Sequence, residues 1–254
     1  PPAERLFNRF TICIDVIGHE LTHGITQHEA NLTYSSQSGA LNESLSDVFG
    51  SLVKQYLRGQ TAAEADWIIG EGLFTSNING AGIRSMKAPG SAYDDPVLGK
   101  DPQLAHMKDY LTTTEDNGGV HINSGIPNHA FYTACITLGG NAWGKMGLIW
   151  YKTLADKLTA NSDFQNAADL TYQTAGELFN VGSMEQTAVK VGWAKVGIDM
   201  EIKSVTASVY FSSDVANPDT YPHFYTDIQM YTTTMTQPDP ELFMNQFTSW
   251  EVAS

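Results

Sequence analysis

The sequence has 254 residues, with 28 acidic against 14 basic side chains and a formal net charge of −14. A chain of this length can bury a full core, arranged as one large domain or two small ones. Its negative charge argues against nucleic acid and anionic membrane surfaces as partners, and the lack of a run of eighteen apolar residues argues against a transmembrane helix.

The first predicted helix carries the motif His-Glu-Leu-Thr-His at residues 19–23. Two histidines four positions apart lie on one face of a helix, where both imidazoles can bind a single zinc ion. Glu20, between them, is placed to take a proton from a zinc-bound water. The apolar residues 11–17 predict that the helix is buried and rigid. The alternative is a helix with two ordinary surface histidines.

A second predicted helix, over residues 39–50, offers the third protein ligand that a catalytic zinc site needs. Its apolar residues recur at intervals of three and four, and Glu43 and Asp47 share one face. We predict that Glu43 coordinates the metal and that Asp47 accepts a hydrogen bond from a ligand histidine, with Asn42 in a similar supporting role. The alternative is a solvated acidic face, although burying two acids beside apolar residues without a partner would be costly.

Beyond these helices, residues 70–102 are rich in Gly, Asn, Ser and Pro and predict a long irregular connection. Its length suggests a loop that is functional or is stabilised by a bound ion. Residues 116–125 then read Asp-Asn-Gly-Gly-Val-His-Ile-Asn-Ser-Gly. A single histidine is more often packed or solvated than catalytic. The paired glycines and Asp116, five residues before His121, favour a functional role.

The chain continues as a series of predicted helices. Ser124 is predicted to cap a helix that ends at Leu138, with Pro127 within its first turn or so. Three further amphipathic helices follow, near residues 143–158, 163–180 and 184–196. The predicted fold class is therefore mainly α, with a helical lobe over residues 1–199.

From about residue 200 the sequence changes character. Residues 204–211 predict a strand, and residues 227–234 are rich in β-branched and aromatic residues. This tail, residues 200–254, loosely resembles an internal stretch of the oligopeptide-binding proteins of ABC transporters. Two interpretations stay open: a chimeric or truncated reading frame, and an extension that packs on the helical lobe.

Three separated motifs, at residues 19–23, 42–47 and 116–125, resemble those of the thermolysin family of zinc endopeptidases. The resemblance extends from about Phe7 to Gly197. The residues of the first two motifs are similar to those of the protealysin-like branch of the family. It implies the family's C-terminal helical lobe, with a secreted or periplasmic location of bacterial type.

The resemblance also implies the metal chemistry. His19, His23 and Glu43 would bind zinc, and Glu20 would act as general base and then carry the proton to the leaving amine. Family members hold calcium beside the zinc helix, but Lys54 stands where they have a bridging glutamate. We expect its ammonium to lie among the remaining acids and calcium to be reduced or absent. These acids are Asp15, Asp66 and Glu71.

Other positions match residues that contact substrate in the family. His121, oriented by Asp116, and Tyr34 would donate hydrogen bonds to the oxyanion, and Arg84 would hold a substrate carbonyl. The pocket for a hydrophobic side chain on the primed side would be shaped by Phe7, Phe10, Val16, Ile69 and Ile83.

Two hypotheses about function follow. The first is a zinc endopeptidase that cleaves peptide or protein substrates before a hydrophobic residue. Family members carry an N-terminal β-rich lobe that forms the opposite wall of the cleft, and the chain starts eighteen residues before His19. The second hypothesis is therefore a truncated or chimeric remnant that binds zinc or peptide but is catalytically impaired, with the missing lobe as a candidate partner. The His121 motif disfavours other hydrolases with the same zinc motif, such as aminopeptidases.

Overall fold

The computed structural model describes residues 5–200, and the predictions made for the tail beyond them lie outside this range. Within it, helices dominate and each strand is two residues long, so the predicted mainly α class is confirmed. No helix in this part of the chain is long and apolar enough to cross a membrane.

The described residues form seven α-helices: α1 (Ile14–His28), α2 (Ser36–Arg58), α3 (Asp116–Asn123), α4 (Gly125–Leu138), α5 (Lys145–Asp156), α6 (Phe164–Phe179) and α7 (Met184–Lys195). The connection between α2 and α3 holds two small antiparallel sheets, β1 (Ile68–Ile69) with β2 (Arg84–Ser85) and β3 (Asp94–Asp95) with β4 (Gly99–Lys100). In the first sheet Ile69 pairs with Arg84, and in the second Asp95 pairs with Gly99.

Most helix ends lie within a few residues of those predicted, because their signals are local. At α6, Asp163 Oδ1 accepts the Asn166 N–H (2.8 Å) and Asn166 Oδ1 accepts the Asp163 N–H (3.3 Å), a reciprocal pair that starts the helix. Ser124 lies at the predicted N-cap position of α4, but its side chain makes no capping hydrogen bond. Its hydroxyl donates to the His121 carbonyl (3.1 Å), because the backbone there already continues from α3 in helical conformation.

Helix α2 is the centre of the lobe. From Gly39 to Leu52 all of its residues except Phe49 are buried, and it packs against α1 on one side and α3 and α4 on others. Its apolar residues join a core that includes Phe131 of α4, Trp150 of α5 and Trp193 of α7. A helix buried on most of its surface can carry polar residues only where other elements pair with them.

The backbones of α1 and α2 touch where Gly18 meets Gly50. A Cβ atom on Gly50 would lie 2.2 Å from the Asp15 carbonyl oxygen and 3.1 Å from the His19 nitrogen. A Cβ atom on Gly18 would lie 3.0 Å from the Cα of Gly50. These contacts leave no room for a side chain. The separation of the two helices is therefore fixed at Gly18, which directly precedes His19, and at Gly50, which lies three residues after Asp47.

A buried ionic cluster ties both helices to the connection that follows them. Lys54 is 3% exposed; its ammonium lies 3.1 Å from Asp15 Oδ2 and 2.8 Å from Asp66 Oδ1, and donates to the Ile68 carbonyl. The expected contact with the third acid is wrong, because Glu71 pairs with Arg58 (2.8 Å). Lys54 therefore neutralises a carboxylate at the start of the zinc-motif helix.

The helix crossing predicts opposite effects for two glycine substitutions. Gly50→Ala should lower the free energy of unfolding by about 1–3 kcal/mol, because the new methyl group must push α2 away from α1. Gly24→Ala, in α1, should raise it by about 0.5–1 kcal/mol, since no atom lies within 4 Å of the added Cβ. Urea unfolding measures both. Equal effects at the two positions would contradict the close crossing.

The ionic cluster predicts a large cost for removing Lys54. Lys54→Met should lower the free energy of unfolding by about 3–5 kcal/mol, because Asp15 would remain buried without a counter-charge. Arg58→Met is the matched control and should cost about 0–1 kcal/mol, since the Arg58 side chain is 45% exposed. Urea unfolding with and without added calcium also tests whether Lys54 stands in for an ion. A loss at Lys54 no larger than at Arg58 would contradict its assigned role.

Candidate metal centre

The three predicted ligands meet between α1 and α2. His19 and His23 lie one turn apart on α1, and their Nε2 atoms are 3.0 Å apart. Glu43, on α2, brings Oε2 to 3.5 Å from His19 Nε2 and Oε1 to 3.5 Å from His23 Nε2. One ligand atom from each residue lies within 4.8 Å of the others, which makes this the group best arranged to hold a metal ion among residues 5–200.

The hydrogen bonds of the two imidazoles show that the group suits zinc. His19 Nδ1 donates to Asp47 Oδ1 (2.8 Å) and His23 Nδ1 donates to Asn42 Oδ1 (2.7 Å). Since each Nδ1 carries the proton, both Nε2 lone pairs point into the same space. Glu43 Oε2 is also buried there without a hydrogen-bond partner among the described residues. Two imidazole nitrogens and one carboxylate match the ligand set of a catalytic zinc site with an open position.

Asp47 is completely buried and fully bonded. In addition to His19, its Oδ1 accepts from Arg84 Nη2 (2.6 Å), while its Oδ2 accepts from Arg84 Nε (2.7 Å) and Asn128 Nδ2 (2.8 Å). Burial alone would raise the pKa of Asp47, but the charge of Arg84 and the bond from His19 lower it below the ordinary value. Asp47 therefore stays ionised and orients His19 as an anion.

Arg84 lies beside the metal centre, with its guanidinium committed mainly to Asp47. Burial opposes the charge of Arg84, but Asp47 raises its pKa above the usual value, so both partners remain charged. Two of the three guanidinium nitrogens bond to Asp47; the third, Nη1, makes no hydrogen bond to any residue that the structure describes.

The segment around His121 adopts an unusual backbone conformation. Four consecutive residues have positive φ, namely Asp116 (52°), Asn117 (51°), Gly118 (88°) and Gly119 (76°). This left-handed run turns the chain so that both oxygens of Asp116 bond His121, Oδ1 to Nδ1 (2.6 Å) and Oδ2 to the backbone nitrogen (2.9 Å). At Gly118 a Cβ atom would also lie 2.7 Å from Ser36 Oγ, so glycine is required there.

Tyr34 and His121 both lie close to the Glu43 carboxylate. The Tyr34 hydroxyl donates to Glu43 Oε1 and lies 3.3 Å from His121 Nε2, which is itself 3.5 Å from Glu43 Oε1. Burial, the bond to Glu43 and its charge raise the pKa of Tyr34 well above the usual value, so the phenol stays protonated. The structure thus brings two donors to the exposed edge of the metal centre.

The remaining predicted residues occupy different environments. Glu20 is exposed on α1, directly after the ligand His19. Val16 and Ile83 belong to a small apolar cluster that Phe7 also contacts, and Phe10 is 52% exposed beside it. Ile69 has no exposed surface and packs into the main core.

An open cavity of about 390 Å³ adjoins the metal centre beside His23, and Arg84 is not among its lining residues. Its lining residues are His23, Gln27, Asn31, Leu32, Tyr34 and Asn42. Gln27 and Asn31 are not among the residues predicted from the sequence, although Gln27 continues the helix face of His19 and His23 at the same spacing of four.

Comparison with known proteins gives consistent matches. A family model described as "Thermolysin metallopeptidase, alpha-helical domain" matches residues 30–198. The chain is 58% identical over 197 residues to an "Extracellular metalloprotease" of Pectobacterium carotovorum subsp. carotovorum, covering 77% of this chain and 56% of that protein. It is 54% identical over 200 residues to "Protease PrtS" of Photorhabdus sp. (strain Az29), covering 78% and 53% respectively.

A solved structure is also similar. The precursor of protealysin, a metalloproteinase from Serratia proteamaculans, superposes with a TM-score of 0.74 at 61% sequence identity, covering 76% of this chain and 60% of that chain. The chain therefore spans little more than half the length of the two relatives named above.

Proposed function

The chain belongs to the thermolysin family of metallopeptidases, and from this premise we propose that it is a zinc endopeptidase acting on peptide or protein substrates. The observation that carries the proposal is the convergence of two imidazole lone pairs and an unpartnered carboxylate oxygen on one space. We assign the metal-binding lobe to residues 1–199, with His19, His23 and Glu43 as the zinc ligands. Because relatives are named extracellular proteases, we propose a secreted or periplasmic location.

The residues around the metal centre have complementary tasks in this proposal. A bound zinc ion would supply a Lewis acid that polarises the substrate carbonyl and makes water acidic enough to attack at neutral pH. Glu20 takes the proton from the attacking water and delivers it to the leaving amine. Asp47 and Asn42 hold the two histidine rings in the tautomer that leaves Nε2 free.

Two side chains are placed to stabilise the charge that develops on the carbonyl oxygen. The Tyr34 hydroxyl and His121 Nε2 lie 3.3 Å apart beside Glu43, so both can donate to one oxyanion. His121 Nδ1 already bonds Asp116, and Nε2 can donate only when the ring carries both protons. The adjacent carboxylate of Asp116 offsets that positive charge.

Substrate orientation follows from the two sides of the metal centre. We propose that Arg84 Nη1 binds a carbonyl on the primed side, and that the apolar face of Phe7, Phe10, Val16 and Ile83, supported by Ile69, accepts a hydrophobic side chain there. The cavity beside His23 would then take the unprimed side of the peptide. This assignment rests on two observations: Arg84 lies beside His19 (3.4 Å from Nη2 to Nδ1), whereas Gln27 lines the cavity together with His23.

A second candidate function is a zinc- and peptide-binding remnant with impaired turnover. The exposure of Tyr34 (40%) and of the His121 side chain (50%) favours this candidate, because hydrogen-bond donors in contact with water stabilise a developing charge only weakly. The two functions differ in one measurement: the remnant would bind zinc stoichiometrically but cleave peptides slowly or not at all. Zinc content and peptide cleavage are therefore measured on the same preparation.

Variants of two glutamates should separate metal binding from catalysis. Glu43→Ala should lose most of its zinc, because it removes one of three protein ligands. Glu20→Ala should retain about one zinc per chain but lose activity at least about 100-fold, since Glu20 acts on protons. Glu29→Ala, an exposed glutamate at the end of α1, is the control. Full zinc retention without Glu43 would remove it from the ligand set, and near wild-type turnover without Glu20 would exclude it as the base.

His121→Ala should lower kcat about 100-fold with little change in KM, because its hydrogen bond forms with an oxyanion that is absent from the bound substrate. Asp116→Asn should give a smaller loss of the same kind by loosening the ring. Steady-state kinetics on a peptide substrate measures both, with His28→Ala at the end of α1 as the control. A raised KM with unchanged kcat would assign His121 to substrate binding.

A further inference from the structure

Asn128 contacts the metal centre from a helix that carries none of the predicted ligands. It lies in α4, is fully buried, and its Nδ2 donates to Asp47 Oδ2 over 2.8 Å. The two residues are 81 positions apart in the sequence. The other polar atom of the amide, Oδ1, is buried without a hydrogen-bond partner in the described part of the chain.

The unpartnered oxygen indicates why an amide is present. Burying a carbonyl oxygen without a donor is unfavourable, and an apolar side chain of similar size would avoid that cost. Asn128 is therefore poorly suited to filling the core. What it contributes is the single bond from Nδ2 to Asp47.

That bond completes the coordination of the Asp47 carboxylate. A carboxylate has about four acceptor positions, and here they are occupied by His19 Nδ1, Arg84 Nη2, Arg84 Nε and Asn128 Nδ2. Arg84 is the stronger neighbour, and its Nη2 lies 3.4 Å from His19 Nδ1, so it shares Oδ1 with the histidine. Without Asn128, only Arg84 would hold Oδ2, and the carboxylate could turn towards the guanidinium.

We infer that Asn128 is a positioning residue, which fixes the Asp47 carboxylate between Arg84 and His19 and so orients the His19 ring towards the metal. The inference rests on the proposed function, because it takes His19 as a zinc ligand. On this inference α4 contributes to metal affinity through Asn128, in addition to α1 and α2, which carry the proposed ligands.

The test compares the full chain with Asn128→Leu, which has similar size and no polar atoms, and Asn128→Ala, which cannot overpack the site. Zinc affinity is measured by competition with a chromogenic chelator. The visible absorption spectrum of the cobalt-substituted protein reports the geometry of the ligands independently of peptidase activity. Both variants should bind zinc about tenfold more weakly, as expected when a partner of a metal ligand is removed, and should show an altered cobalt spectrum.

Thr153→Val is the matched control. It removes a fully buried hydrogen bond from Thr153 to Thr174 Oγ1 (3.0 Å), in α5 and α6, without touching the site. Its stability should fall while its zinc affinity and cobalt spectrum stay unchanged. Unchanged affinity and spectrum in either folded Asn128 variant, or equal changes in the control, would overturn the inference. A failure of the unaltered chain to bind zinc would overturn the metal centre itself.

Discussion

The contact between the backbones of α1 and α2 is the constraint on which the metal centre depends. Zinc ligands on two different helices share one ion only if the helices approach closely, and here Gly18 and Gly50 permit an approach that no side chain could. The residues that use this separation lie close by in each helix: His19 directly follows Gly18, and Asp47 lies three residues before Gly50. Gly18 and Gly50 have no side chains that could bind a metal, but by allowing the close packing of α1 and α2 they determine where the proposed ligands lie.

The close crossing has an electrostatic consequence. It buries Asp15 and Asp47 in a region of low dielectric, where each carboxylate needs a counter-charge. Lys54 serves Asp15 and Arg84 serves Asp47, and each of these cations also contacts or belongs to the segment after α2. The irregular connection is thus fixed to the two helices through buried charges, and this fixes the strand pairing that places Arg84 beside the metal centre.

The sequence predicts the structure correctly where a feature depends only on residues within one helix. The spacing of His19, His23, Glu43 and Asp47 predicts which side chains share a face, and α5, α6 and α7 are found close to their predicted ranges. Contacts between distant segments are different. No local sequence pattern indicates that Asn128 contacts Asp47. That Glu71 pairs with Arg58, and not with Lys54 as expected, depends on how the connection between α2 and α3 folds back. The two glycines before His121 favour a left-handed backbone, but the sequence does not show that Asp116 and Asn117 share it, or that both Asp116 oxygens bond His121.

The metal centre also divides into two halves that differ in exposure. Glu43 and His19, two of the proposed ligands, are 1% and 6% exposed, whereas Tyr34 and the His121 side chain are 40% and 50% exposed. Glu20 is also exposed. Hydrogen bonds to a developing charge stabilise it strongly only where water is excluded. The proposed zinc ligands therefore all lie within the helical lobe, whereas the proposed oxyanion donors would act strongly only when the exposed half is covered by substrate or by further protein. In the endopeptidase the exposed half of the metal centre would be covered during turnover, and in the impaired remnant it would not. Both proposals use the same buried ligands.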